Sequence, residues 1–169
     1  MSHGARVIVG VSGSLNSLTA LHRAVDEARA QQAVLVPVLA WTPVGGELSY
    51  RAHPCPPLLR AWETAARARL ERAFEEAFGG FPVGVEVEPL VIRGDAGPAL
   101  VHVADRPGDL LVISTGRQGS LQRYLHGSVG RYCLAHARCP VVAVPPSALY
   151  TDLRQISRAV DLRELSHAA

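Results

Sequence analysis

The stretch LLVISTGRQGSLQRYLHGSV, Leu110 to Val129, decides the fold. A short apolar run, Leu110 to Ile113, breaks into a loop carrying Gly116, Gly119 and Gly127, and a helical pattern starts after Ser128. A buried strand, a glycine-bearing loop and a helix N-terminus, in that order, make a place for an anion. Free backbone N–H groups and the positive end of the helix dipole face the same point. Ser128 adds a hydroxyl at the helix start, and Arg117 and Arg123 bring positive charge. The same glycines also fit a plain loop, and from the residues alone both readings stand.

Upstream of this stretch, strand and helix patterns alternate. Val7 to Val11 (VIVGV) is a β-branched apolar run that reads as a strand buried on both faces. Ser12-Gly13-Ser14 is a turn, and Asn16 and Ser17 are the expected N-caps of a helix whose apolar stripe is Leu18, Leu21, Val25 and Ala28. Ala33 to Trp41 is a second strand, in which Pro37 predicts an edge position or a bulge. Thr42 to Pro57 reads as a long irregular stretch. Leu59, Trp62, Ala66, Leu70, Ala73 and Ala77 mark a second helix, ended by Gly79-Gly80. Val83 to Ile92 is the third strand, and Pro98 sits in the first turn of a short helix reaching about Ala104.

Downstream, Ser128 opens a helix to about Arg138, Pro140 stops it, and Val141 to Val144 is a fifth strand. Helical crossovers between such strands imply a doubly wound parallel α/β sheet, whose ligands bind beyond the carboxyl ends of the strands. Residues 1–146 form this domain and 147–169 a helical tail, where Leu149, Leu153, Ile156 and Val160 have helical spacing. An apolar stripe there needs a cover, either the chain's own sheet or a partner subunit.

Bulk composition agrees with one domain and an aliphatic core: 169 residues, 48% hydrophobic and only 5% aromatic. A net charge of +2 with no basic block gives no nucleic-acid footprint. No apolar run is long enough for a membrane span, and three scattered cysteines make no disulfide framework. The expectation is a cytoplasmic protein without nucleic-acid or membrane partners.

The chain lacks a Walker A loop, a G-x-G-x-x-G after the first strand, H-E-x-x-H and G-x-S-x-G. Ser12 and Ser14 read as turn residues rather than nucleophiles. Cys133, His136 and Cys139 have ligand-like spacing but no fourth partner nearby, so the cysteines read as small buried hydrophobes. His126 is the one histidine placed beside the loop.

Five blocks carry a family resemblance: RVIVGVSGSLNSLTAL, VLAW, VIRGDAGPAL, DLLVISTGRQG and HGSVGRYCLAHARCPVVAVP. From Arg6 to Pro145 the chain resembles the universal stress protein (UspA-like) domain, a branch of the adenine-nucleotide alpha hydrolase-like fold. The resemblance implies a five-stranded parallel doubly wound sheet with helices on both faces, here with a C-terminal helical extension. It implies ATP or a related adenine nucleotide, with Mg, at Val11, Ser12, Ala40, Gly116, Arg117, Gly119, Gly127, Ser128 and Val129. It also implies a homodimer through the last strand, at Val141, Val142 and Val144, with the tail as a possible second contact.

The chain departs from the family at two points. Only seven residues separate Gly119 from Gly127, fewer than in the ATP-binding pattern. Ser12 stands where the family commonly has Asp, which removes a charge-assisted hydrogen bond. The functional expectation is a stress-response regulatory protein that binds an adenine nucleotide, with hydrolysis at most slow and incidental. The alternative is a dimeric interaction module of the same fold that binds none.

Overall fold

The computed structural model describes residues 4–115 and 129–146. The glycine loop from Gly116 to Ser128, with His126 and Arg123, and the tail from 147 onward lie outside the described residues. The elements run β1 (Arg6–Gly10), α1 (Leu15–Gln31), β2 (Val34–Trp41), α2 (Gly46–Ala52), α3 (Pro56–Phe78), β3 (Leu90–Arg93), α4 (Ala96–Val103), β4 (Leu110–Ser114), α5 (Val129–His136) and β5 (Val141–Val144). They form a five-stranded, all-parallel sheet in the order β3-β2-β1-β4-β5. The parallel doubly wound α/β architecture is therefore as expected. No helix among the described residues is long and apolar enough to cross a membrane.

Side-chain alternation along the strands divides the core in two. Val7, Val9, Leu35, Leu39 and Val112 point to α1 and α3, against Ala20, Leu21, Ala24, Val25, Leu70 and Phe74. Ile8, Val36, Val38, Leu111 and Ile113 point the other way, against Leu100 and Ala104 of the α4 region and Cys133 of α5. Alanines at positions 20, 24 and 28 of α1 are buried. Small side chains at that spacing let the helix lie close to the sheet.

At the amino ends of the strands one ion-pair cluster joins the layers. Arg6 donates from Nε to Asp109 Oδ1 at 2.9 Å and from Nη2 to Asp109 Oδ2 at 2.6 Å. The same Nη2 reaches Val103 O at 3.0 Å and Asp105 Oδ1 at 2.8 Å. Asp109 is 3% exposed. Its hydrogen bond to Arg6, working against the desolvation of the guanidinium, raises the Arg6 pKa above its ordinary value.

Four local expectations change. Ser14, not Asn16 or Ser17, caps α1: its Oγ accepts from Ser17 N at 3.3 Å. Part of the stretch from Thr42 to Pro57 is helical, as α2, which buries no side chain. The third strand is shorter than expected; before Leu90 only Val87 bridges to Leu35.

Pro37 lies in an interior strand, one place in from the edge. Leu35 exchanges hydrogen bonds with Glu86 and Glu88, so the backbone of Leu35 and, two residues on, Pro37 faces β3. Carrying the Val38↔Leu90 register back one residue sets Pro37 against Pro89, in the gap between the bridge and the strand. The missing donor thus falls where β2 meets its short edge neighbour, and the pairing with β1 is intact through Val9↔Pro37.

α4 and α5 meet closely at Gly97. A Cβ there would lie 2.9 Å from Tyr132 Cγ and Cδ1 and 3.0 Å from Tyr132 Cβ. Because Tyr132 Cβ is fixed to its backbone, an added methyl has to displace α5 itself. Gly97→Ala is expected to lower stability by about 1–3 kcal/mol, read from urea unfolding. An unchanged midpoint would show that α5 moves aside freely.

Candidate functional site

The strand order reverses at β1. The chain leaves β1 for β2 by way of α1 on one face, and returns from β3 to β4 by way of α4 on the other. Two helices that diverge to opposite faces leave a crevice between the carboxyl ends of β1 and β4, where open parallel sheets bind ligands.

One wall of this crevice is the β1 exit. Val11 is 4% exposed and ties to the neighbouring strand through its N–H to Val38 O at 2.9 Å. Ser12 is exposed, and its Oγ lies 3.0 Å from Ser14 Oγ. Ser17 Oγ donates to Ser14 O at 2.8 Å, so the first turn of α1 is tightly closed. Within that turn Asn16 Oδ1 is buried without a hydrogen-bond partner. Ala40, half-buried, lies on β2 opposite Ile92 of β3, one residue before the strand ends.

The other wall is the β4 exit. Thr115 bonds Val144 O twice, from its N–H at 2.8 Å and from Oγ1 at 3.1 Å. Val129 opens α5 and is 39% exposed. Of the sequence-predicted residues, Val11, Ser12, Ala40 and Val129 are thus placed. Gly116, Arg117, Gly119, Gly127 and Ser128 lie outside the described residues.

Next to the β2 and β3 exits stands α2. Glu47 receives both arms of Arg93, Nε to Oε1 at 2.7 Å and Nη2 to Oε2 at 2.8 Å. The Arg93 guanidinium also lies 4.8 Å from the centroid of Tyr50, whose ring meets Trp62 edge-on at 6.3 Å. With no buried side chain of its own, α2 depends on this clasp. Sequence reading missed both partners, because Glu47 and Arg93 are joined only when β2 and β3 pair.

The cysteine–histidine group divides. Cys133 is fully buried under the sheet, and burial pushes its thiol up to about 11. His136 is exposed, stacked on Tyr132 at 4.2 Å with Nδ1 2.9 Å from Tyr132 O. Among the described residues no group of three His, Cys, Asp or Glu side chains is placed to hold a metal ion.

A doubly wound parallel domain with its crevice between a capped helix start and a loop-bearing strand end defines a class of ligand-binding α/β protein. The chain belongs to the universal stress protein family, whose model matches residues 5–145. Among solved structures it is similar to a universal stress protein in complex with cAMP: 28% identity, TM-score 0.56, covering 85% of this chain and 98% of that one. It is also similar in fold to the universal stress protein UspA from Lactobacillus plantarum: 21% identity, TM-score 0.60, covering 85% and 99%. No curated protein matches.

The Arg93 hydrogen bonds hold the Glu47 carboxyl below its ordinary pKa. A depressed carboxylate stabilises α2 above the ordinary glutamate range, and that contribution is lost as pH falls through the depressed value. Glu47→Gln is therefore expected to speed amide hydrogen exchange in α2 at neutral pH by up to about fivefold, the range of an exposed pair. The wild-type chain should reach the same rate, corrected for intrinsic exchange, only in acid. Equal protection at neutral pH would show that the clasp does not hold the helix.

Proposed function

We propose that this universal stress protein is a stress-response regulatory protein that binds an adenine nucleotide in the crevice between β1 and β4. The observation that carries the reading is the coincidence of that crevice with family membership and with a 28% identical relative crystallised with cAMP. Val11, Ser12 and Ala40 would line the adenosine side. Gly116, Arg117, Gly119, Gly127, Ser128 and Val129 would hold the phosphates, with Mg where more than one is present. Ser12 contributes a hydroxyl, already shared with Ser14 Oγ at 3.0 Å.

Calorimetry and thermal unfolding with ATP, ADP, AMP and cyclic AMP test the reading. Saturable heat and a higher Tm are expected, since a ligand that binds only the folded state stabilises it. Gly127→Asp should weaken binding at least about tenfold by placing a carboxylate where phosphate is held. No heat and no shift at millimolar nucleotide would favour the second reading, a dimeric interaction module without nucleotide. The specific ground for that second reading is Ser12, where a neutral hydroxyl stands at the strand end.

A homodimer through β5 accompanies either reading, and the two sheet edges support it. Leu111 N–H to Pro140 O and Thr115 N–H to Val144 O set the phase of β5, so the backbone of Val141 and Ala143 faces the open edge. That edge is apolar and unbroken. On β3 the outward positions include Pro89, which has no N–H, and Arg93. The tail, residues 147–169, would form a separate segment available to the partner.

Ala143→Pro removes an outward donor that the monomer does not need. It is expected to convert the dimer to a monomer by light scattering, with the thermal transition retained. An unchanged mass would move the interface elsewhere.

A further inference from the structure

Arg69, on α3, crosses the turn that follows β1. A Cβ on Gly13 would lie 3.5 Å from Arg69 Cγ and 3.7 Å from Arg69 Cδ. The aliphatic stem therefore runs over the Gly13 backbone, where φ is 77°. A side chain at 13 would meet both a strained backbone conformation and that stem. The guanidinium begins one bond beyond Cδ, so the stem delivers a fixed positive charge to the Ser12–Ser14 turn at the β1 wall of the crevice.

That charge has no counter-ion. The ion pairs among the described residues are made by Arg6, Arg23, Arg67, Arg93 and Arg106. Its own helix offers Ala65, Ala66, Arg72 and Ala73 at the spacings where an acid would pair with it. The first turn of α1, facing the same turn, contains no acidic residue. A helix N-terminus already carries partial positive charge and repels a cation. Two positive poles without a carboxylate between them are stabilised by an anion. The same helix turn buries Asn16 Oδ1 without a partner, an unused acceptor suited to a hydroxyl-bearing ligand.

We infer that Arg69 supplies a cationic contact to the phosphate of the bound nucleotide, so that the crevice selects phosphorylated nucleosides over the free nucleoside. The inference rests on the nucleotide reading and deepens it. The phosphate is held from both walls: the glycine loop after β4 on one side and Arg69 of α3 across the β1 exit on the other. Guanidinium–phosphate contacts are charge-assisted and directional, which sets Arg69 apart from the solvated arginines elsewhere on the helices.

The test compares AMP and adenosine by calorimetry on the full chain and on Arg69→Gln and Arg69→Lys. Arg69→Gln is expected to bind AMP about tenfold or more weakly, to bind adenosine as the wild type does, and to show a shallower salt dependence. Arg69→Lys should recover part of the AMP affinity. Equal AMP affinity in wild type and Arg69→Gln overturns the inference and leaves the nucleotide reading standing. Equal losses for AMP and adenosine assign Arg69 a packing role and also overturn it. Should the wild type bind neither, the nucleotide reading fails. The Arg69 Nε–H resonance, titrated with pyrophosphate, then decides the anion contact separately, and an unmoved resonance overturns it.

Discussion

The fork of Arg6 on Asp109 is the contact on which the placement of the crevice depends. It closes the amino ends of β1 and β4, the two strands whose other ends form the site. It sits one residue before the Val7↔Leu110 pairing. The same guanidinium reaches Val103 O at the end of α4, and Arg106 N–H reaches Asp109 Oδ2 at 3.0 Å. A cation at a helix C-terminus complements the dipole, so one cluster fixes two strands and the helix that leads into the second. With Asp109 almost wholly out of solvent, removing one partner would strand a buried charge, the case in which ion pairs matter most. Registers in a parallel sheet are set this way at one end and expressed at the other.

The two helical layers are built differently. On the α1 and α3 side the core holds Leu21, Val25, Leu70 and Phe74, with the aromatic contacts of Phe74 to Phe78 and Phe81 at 6.2 and 4.7 Å. On the α4 and α5 side the buried set is smaller, and Gly97 lets Tyr132 close the gap between two eight-residue helices. Short helices bury little apolar area and rely on close fit. The β4 wall of the crevice is carried by this thinner layer, the β1 wall by the thicker one.

What the sequence made legible follows from where the signal is local. Strands buried on both faces are continuous apolar runs, so Val7 to Val11 and Val141 to Val144 were readable to within a residue. Pro37 misled because the penalty for a missing N–H depends on which neighbour the group faces, and that neighbour, β3, is distant in sequence. α2 escaped notice because it buries nothing and so has no apolar stripe to read. Ser14 lost its role to Asn16 and Ser17 because all three residue types cap well and only backbone geometry separates them: Ser14 is extended, at φ −85° and ψ 154°. At the site, Ser12 and Val11 were found by position at a strand end. Arg69 was not, since on a helix rich in arginines only its missing acidic neighbours set it apart.

The charge at the β1 exit links these observations to ligand choice. Ser12, Gly13 and Ser14 present hydroxyls and backbone but no carboxylate, and the first turn of α1 adds none. A neutral turn beneath a helix N-terminus and beside an unpaired guanidinium has a positive potential. The β4 exit leads into a loop that bears Arg117 and Arg123. Positive groups therefore converge on the crevice from chain segments far apart in sequence, carried by helices on opposite faces of one sheet. A ligand with negative charge at its centre and an uncharged ring at one end fits that field better than a neutral one. It would also tie the thick layer to the thin one through contacts that neither makes alone.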